Sequence, residues 1–196
     1  MKEHQHVAIV PSKKVVSKAK KVSKPEASRK GEPAFIMNDG MRRLSTPWSV
    51  ATIRAGQIDP MSIPAGVILD AAVGSGVQLI ALSKLLKRPA LGIELDEQIA
   101  TLCAANMRIN SEGEVQRNLD RVLIGDGSNA DSAIAEYWSS LRDSGTRAHP
   151  PIAMLHLDPA RPRDAQNHEL EEMEPDLKSV LKAWSPHLQN GPRGPA

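Results

Sequence analysis

Hydrophobic and polar positions alternate along this chain in blocks. Val67-Ile68-Leu69-Asp70 is a short apolar run that ends in a carboxylate. A helical pattern from Val77 to Leu86 follows it, with Lys84, Lys87 and Arg88 near the C-terminal end, where the helix dipole favours cations. Ala90-Leu91-Gly92-Ile93-Glu94 is a second strand with a terminal acid, and Asp96 is placed to cap a helix to about Asn110. That helix carries Ile99, Leu102, Cys103 and Ile109 on one side. Arg121-Val122-Leu123-Ile124 leads into Gly125-Asp126-Gly127, and a helix follows over about 131–141. Ile152 to Leu157 leads into Asp158-Pro159, and a last helix begins near Pro175-Asp176 and ends near Trp184. Upstream, Thr46 suits an N-cap and Pro47 a first helical turn, with a helix from Trp48 to Ala55 and Gly56 placed to end it. Internal repeats are not evident.

Strand and helix in regular alternation, with near-continuous apolar strands, specify an α/β fold with a buried parallel sheet. Such sheets bind ligands at the carboxyl ends of their strands. All four strands lead there to an acid: Asp70, Glu94, Asp126 and Asp158.

The loop after the first strand, Asp70-Ala71-Ala72-Val73-Gly74-Ser75-Gly76, sharpens this. Gly74 and Gly76 let backbone approach a ligand closely. A dinucleotide fingerprint needs a third glycine three residues on, where this chain has Leu79, and no Gly-Lys-Ser/Thr follows as a phosphate-binding loop requires. Glu94 stands 20 residues after Gly74, where a carboxylate can accept from both hydroxyls of a ribose. Asp126 can accept from an adenine amine.

From Val67 to Asp158 the chain resembles the class I S-adenosylmethionine-dependent methyltransferases. Ile68 to Gly76 looks like their first motif. Gly92-Ile93-Glu94-Leu95-Asp96, with Ala104-Ala105-Asn106 beyond it, looks like the second-strand motif. Gly125-Asp126-Gly127 looks like the adenine-contact turn, and Leu157-Asp158-Pro159-Ala160-Arg161 like the fourth-strand substrate motif. The resemblance implies a Rossmann-like methyltransferase fold with S-adenosyl-L-methionine as cofactor. It implies a cofactor site of Asp70, Ala72, Gly74, Gly76, Glu94, Leu95, Asp126 and Gly127, with Asp158 and Pro159 at the reacting centre. Leu44-Ser45-Thr46-Pro47, Val50-Ala51 and Arg54-Ala55, together with Asp-Pro-Ala-Arg, are similar to RNA methyltransferases of the THUMP-associated type. Those imply an RNA base as acceptor, most often in tRNA, with Arg161 and Arg163 available to hold a phosphate. The aromatic that stacks a flipped base in amine-modifying enzymes is missing after Asp158-Pro159, so guanine or another acceptor stays open. A small-molecule or protein acceptor, or a domain that binds without catalysis, is the alternative.

Charge divides the chain. Residues 1–32 hold nine Lys/Arg and three Glu, a net of +6, so the chain's net of +2 leaves −4 for the rest. With Lys-, Ser- and Val-rich sequence and no sustained period, residues 1–33 read as a disordered tail, either a phosphate-seeking arm or a solubilising one. Residues 34–196 read as the cofactor-binding domain, with the family's last three strands missing and the fourth strand left as a sheet edge. Only five aromatics, Phe35, Trp48, Tyr137, Trp138 and Trp184, argue against a base-stacking RNA platform. The single cysteine, Cys103, excludes an internal disulfide, and its helix position reads as a structural thiol. The six histidines show no metal-ligand spacing, so no metal is expected. No run approaches the roughly 20 apolar residues of a membrane span, and Met1 to Val10 lacks a signal-peptide core, which points to the cytoplasm.

Overall fold

The computed structural model describes residues 5–110, 117–158, 173, 175–191 and 194–195. Its centre is a five-stranded sheet in the order β1 (Val7–Ile9), β6 (Arg121–Ile124), β5 (Ala90–Glu94), β4 (Val67–Asp70), β7 (Ile152–His156). β4, β5, β6 and β7 run parallel, and β1 lies antiparallel on β6. Two short hairpins complete the strands, β2 (Glu26–Ala27) with β3 (Ala34–Phe35) and β8 (Asn190–Gly191) with β9 (Gly194–Pro195). The helices are α1 (Lys13–Ala19), α2 (Asp39–Leu44), α3 (Trp48–Gly56), α4 (Val77–Leu86), α5 (Glu97–Asn110), α6 (Ala130–Asp143) and α7 (Leu177–Trp184). Among the described residues no helix is long and apolar enough to cross a membrane.

The sheet is buried on both faces because successive strand residues point to opposite sides. Ile68, Ala90 and Val122 pack with α3, α4 and α5 on one face. Val67, Leu69, Leu91, Ile93 and Leu123 pack with α6 and α7 on the other. Each fully buried Leu or Ile removes enough apolar surface from water to contribute about 1.5–3 kcal/mol. The helix starts follow from local chemistry. Asp96 Oδ1 accepts the Ile99 N–H at 2.9 Å. Asn129 caps α6, and Asp176 accepts from Lys178 and Ser179 at the head of α7. Thr46 departs from expectation: α3 has no side-chain cap, and the Thr46 hydroxyl is directed elsewhere.

β4 sits at the switch point of the topology. From it the chain steps outward through β5 and β6, then returns to place β7 on its other side. The outer edge of β7 meets Leu188 through a single bridge, in which Gln189 N–H donates to the Ile152 carbonyl at 2.9 Å.

From residue 5 onward, the expected disordered tail is instead folded onto this domain. β1 extends the sheet, and its Ala8 N–H donates to Glu136 Oε1 at 3.0 Å. His6 is buried. In α1, Val15 and Ala19, one helical turn apart, face an apolar cluster with Ile36, Met41, Leu102 and Ala105. The lysines point outward: Lys13, Lys14, Lys18, Lys20, Lys21 and Lys24 are all exposed. Segregating the charges onto one side leaves enough apolar surface to dock the segment.

One side chain joins this segment to the glycine loop. Asn106, fully buried on α5, accepts from the Ile36 N–H at 2.6 Å and donates to the carbonyls of Ile36 and Ser75, both at 3.0 Å. Asn106→Leu strands three buried backbone groups, each costing about 1–3 kcal/mol. Denaturant unfolding is expected to show a loss of roughly 3 kcal/mol or more; a loss below about 0.5 kcal/mol, typical of a neutral surface change, contradicts this.

Candidate functional site: an acidic rim beside a glycine loop

Parallel pairing brings the carboxyl ends of β4, β5, β6 and β7 to one rim of the sheet, and with them the four acids and the glycine loop. The loop is stitched to its neighbour strand. Glu94 Oε2 accepts the Gly74 N–H at 3.1 Å, its Oε1 accepts the Asp96 N–H at 3.0 Å, and the Val73 N–H donates to the Ile93 carbonyl at 3.0 Å. Asp70 Oδ1 accepts the Ala72 N–H at 3.1 Å. Gly74 and Gly76 take φ of +51° and +79°, a region that favours glycine. Gly76 also lies against α5, so that a Cβ there would stand 2.8 Å from Cys103 Sγ. On the far side, the Gly125 N–H donates to the Glu94 carbonyl at 3.0 Å, and Gly127 packs on the Ala71 carbonyl without room for a Cβ. Asp70, Glu94 and Gly125-Asp126-Gly127 therefore border one loop. Leu95 is 73% exposed beside Glu94, an apolar surface at the rim.

The rim concentrates negative charge. Burial pushes the Asp70 carboxyl up to about 6; His156 and the Ala72 N–H pull it down, while Asp158 and Glu94 push it further up. A buried carboxyl among other acids suits a cationic ligand. His156 pairs in register with Asp70, and its buried Nε2 has no hydrogen-bond partner among the described residues. Burial, then the charges of Asp70 and Glu94, hold the Cys103 thiol well above its usual range, which leaves it inert as a nucleophile.

Asp158 lies two residues past β7 and draws on three elements that motif reading does not connect to it. Its Oδ2 accepts from Gln78 Nε2 at 2.7 Å, Arg54 at 3.1 Å and Thr46 Oγ1 at 3.2 Å. Partial burial pushes its pKa up, but the Gln78 bond, the Arg54 charge and bond, and the Thr46 bond outweigh that, and the carboxyl sits below its ordinary value. Gln78 is the one polar residue in the run Val77 to Leu82 that opens α4, the sequence signal that could have marked it.

Asp126 is exposed, and its Oδ1 accepts from the Ser128 N–H and Oγ at 2.8 and 2.7 Å. Two side chains hold the backbone of its turn. His6 Nε2 lies 3.0 Å from the Asp126 carbonyl, and Trp184 Nε1 donates to the Gly127 carbonyl at 2.7 Å. A carbonyl only accepts, so Nε2 carries the His6 proton and Nδ1 accepts from Ser132 Oγ at 2.9 Å. Burial lowers the His6 pKa, against the Asp126 hydrogen bond and the charges of Asp126 and Glu136, so the ring is neutral. Pro159, Arg161 and Arg163 lie outside the described residues. Among the described residues no three His, Cys, Asp or Glu side chains gather as a metal site. A separate groove of about 340 Å³ runs between α1 and α5, lined by Lys18, Ala19, Val22, Thr101 and Leu102, and reaches Asp96.

No protein-family model matches the chain, and no curated protein matches it. A crystal structure of a methyltransferase candidate from Porphyromonas gingivalis W83 superposes with a TM-score of 0.51 at 21% identity over 80% of this chain. This chain spans 33% of that protein's length. The likeness is one of fold: the molecule has a Rossmann-like methyltransferase fold.

Asp70 gives a pH test. Its folded-state pKa is raised, so its contribution to stability is complete below the unfolded value of 3.8 and is lost as pH rises through about 6. Asp70→Asn keeps the acceptor for the Ala72 N–H and removes the charge. The ligand-free variant should gain on the order of 2 kcal/mol over the wild type at pH 7.5 and little at pH 4. Taking the difference between the two proteins cancels His6, whose lowered pKa acts in the opposite sense. A pH-independent difference contradicts the assignment.

Proposed function

We propose that this chain is an S-adenosyl-L-methionine-dependent methyltransferase domain. The observation that carries the reading is the junction of Glu94, Asp70 and the Gly74 loop at one rim. The donor set fits the group: two strand-end carboxylates and a loop with positive-φ glycines suit a ligand that carries a ribose, a sulfonium and an ammonium. Glu94 retains lone pairs for ribose hydroxyls beyond its two backbone bonds. Asp70 gains a cation that offsets its burial. Ala72, Gly74 and Gly76 would present backbone to the ligand, and Leu95, Asp126 and Gly127 would hold its adenine. When bound, the group supplies a methyl on sulfur, already activated for in-line displacement.

What remains to the protein is alignment and electrostatics. Gln78, Arg54 and Thr46 occupy Asp158 Oδ2 and keep the carboxylate ionised. A carboxylate held below its usual pKa is a weak proton acceptor and a good hydrogen-bond acceptor. Its role is to grip an N–H of the acceptor through Oδ1 and fix the direction of attack. The acceptor proton then leaves to solvent.

The acceptor we favour is an RNA base, most often in tRNA. What supports this is the row of exposed lysines on and after α1, a helix whose apolar side docks on α5; from the sequence alone, Arg161 and Arg163 are further candidates to hold a phosphate.

Calorimetric titration with S-adenosylmethionine, S-adenosylhomocysteine and NAD separates the possibilities. Binding of the first two without the third is expected, with at least a tenfold loss in Glu94→Ala, since bonds to a charged acceptor contribute about 1.5–3 kcal/mol. NAD binding alone, or none, removes the reading. For the acceptor, replacing Lys13, Lys14, Lys20 and Lys21 with Ala should weaken RNA binding and flatten its dependence on salt by about 0.7–0.9 for each phosphate no longer neutralised. An unchanged salt slope moves the acceptor to a small molecule or protein and leaves the methyl-donor reading standing.

A further inference from the structure

The turn Gly125-Asp126-Gly127 has two glycines around its one functional side chain. It is closed locally by the Ser128 N–H and Oγ on Asp126 Oδ1 and by the Asn129 N–H on the Asp126 carbonyl at 3.0 Å, and it is also held from outside. The Gly125 N–H is tied to the Glu94 carbonyl, and Gly127 is pressed on the Ala71 carbonyl. The carbonyls of Asp126 and Gly127 each receive a ring N–H from a residue remote in sequence, His6 and Trp184. Both rings are buried, Trp184 completely. The His6 ring also fills the space that a Cβ on Gly125 would need. His6 is itself held by Ser132 on α6, and its strand by Glu136 on the same helix.

We infer that His6 and Trp184 are positioning residues for the turn that meets the adenine, so that β1 and α7 act on cofactor recognition. The inference rests on the methyl-donor reading above. Neither residue belongs to the glycine-and-acid motifs, and neither needs to touch the ligand. Their N–H groups orient two consecutive peptide units, and thereby the Asp126 carboxylate and the Gly127 N–H, before the ligand arrives. A pre-ordered turn binds more tightly than one that must be ordered during binding.

The test is calorimetry on the full chain with S-adenosylhomocysteine and with its hypoxanthine analogue, which lacks the amine that Asp126 would hold. His6→Ala should weaken S-adenosylhomocysteine about tenfold and the analogue no more than about twofold. A general loss of structure would weaken both equally. His6→Gln, whose amide N–H reaches the same carbonyl, should stay within about threefold of wild type, and Trp184→Phe should resemble His6→Ala. In the ligand-free protein, His6→Ala should speed amide exchange at Gly127 and Ser128 without affecting Leu69 or Leu91. Unchanged affinity in both His6→Ala and Trp184→Phe, or equal losses for the two ligands, overturns this inference alone. Failure of the wild-type protein to bind S-adenosylhomocysteine overturns the methyl-donor reading and this inference with it. Should His6→Ala fail to fold, Trp184→Phe carries the same comparison, and equal losses for both ligands in that variant again decide against it.

Discussion

The parallel pairing of β4 with β5 and β7 is the constraint on which the rest depends. With β6 parallel on β5 as well, β4, β5, β6 and β7 all enter from the same side and leave their following loops at the same rim, while β1 runs the other way. Asp70, Glu94, Asp126 and Asp158 are far apart in sequence and become neighbours for that reason alone. An antiparallel arrangement of the same strands would send half of the acids to the opposite end. The two-sided burial of the sheet, with helices on each face, holds this pairing in place.

Within that frame the rim carries a cost in stability. Hydrophobic packing of β4 holds Asp70 in a site where its charge is costly, and Asp158 and Glu94 add to the cost. Asp158 is treated in the opposite way: three donors surround one of its oxygens and keep it charged. Two acids at one rim are thus tuned apart by their surroundings, one pushed toward its neutral form and one held charged, a separation more usual at functional sites than on a solvated surface. The helical surroundings are part of the tuning, since α3 supplies Arg54 and α4 supplies Gln78.

Much of this is legible in the sequence. The four parallel strands, the helices between them, the Asp96 cap and the Asp176 start follow from short-range rules of periodicity and capping, and they position the acids without further information. The glycine loop and Glu94 are legible as a pair because their spacing reflects one crossover unit. Residues 5–33 are not. β1 has three residues, too few to show alternation, and the partners of His6 lie on α6 and the turn before it, more than a hundred positions away. The lysine-rich run hides the Val15 and Ala19 pair that docks α1. Thr46 misleads for a related reason: a cap and a hydrogen bond to a distant carboxylate use the same hydroxyl, and only the tertiary structure decides between them. The role of Asn106 is similarly hidden, since its partners Ile36 and Ser75 come from two separate loops.

The central claim is that one rim, and not another surface, receives an adenosyl ligand. Amide chemical shifts recorded while S-adenosylhomocysteine is added test it most directly. The largest changes are expected at Ala72, Gly74, Gly76, Leu95 and Gly127, converging on a single binding constant. Changes confined to the groove between α1 and α5, or scattered without focus on the Gly74 loop, would contradict it.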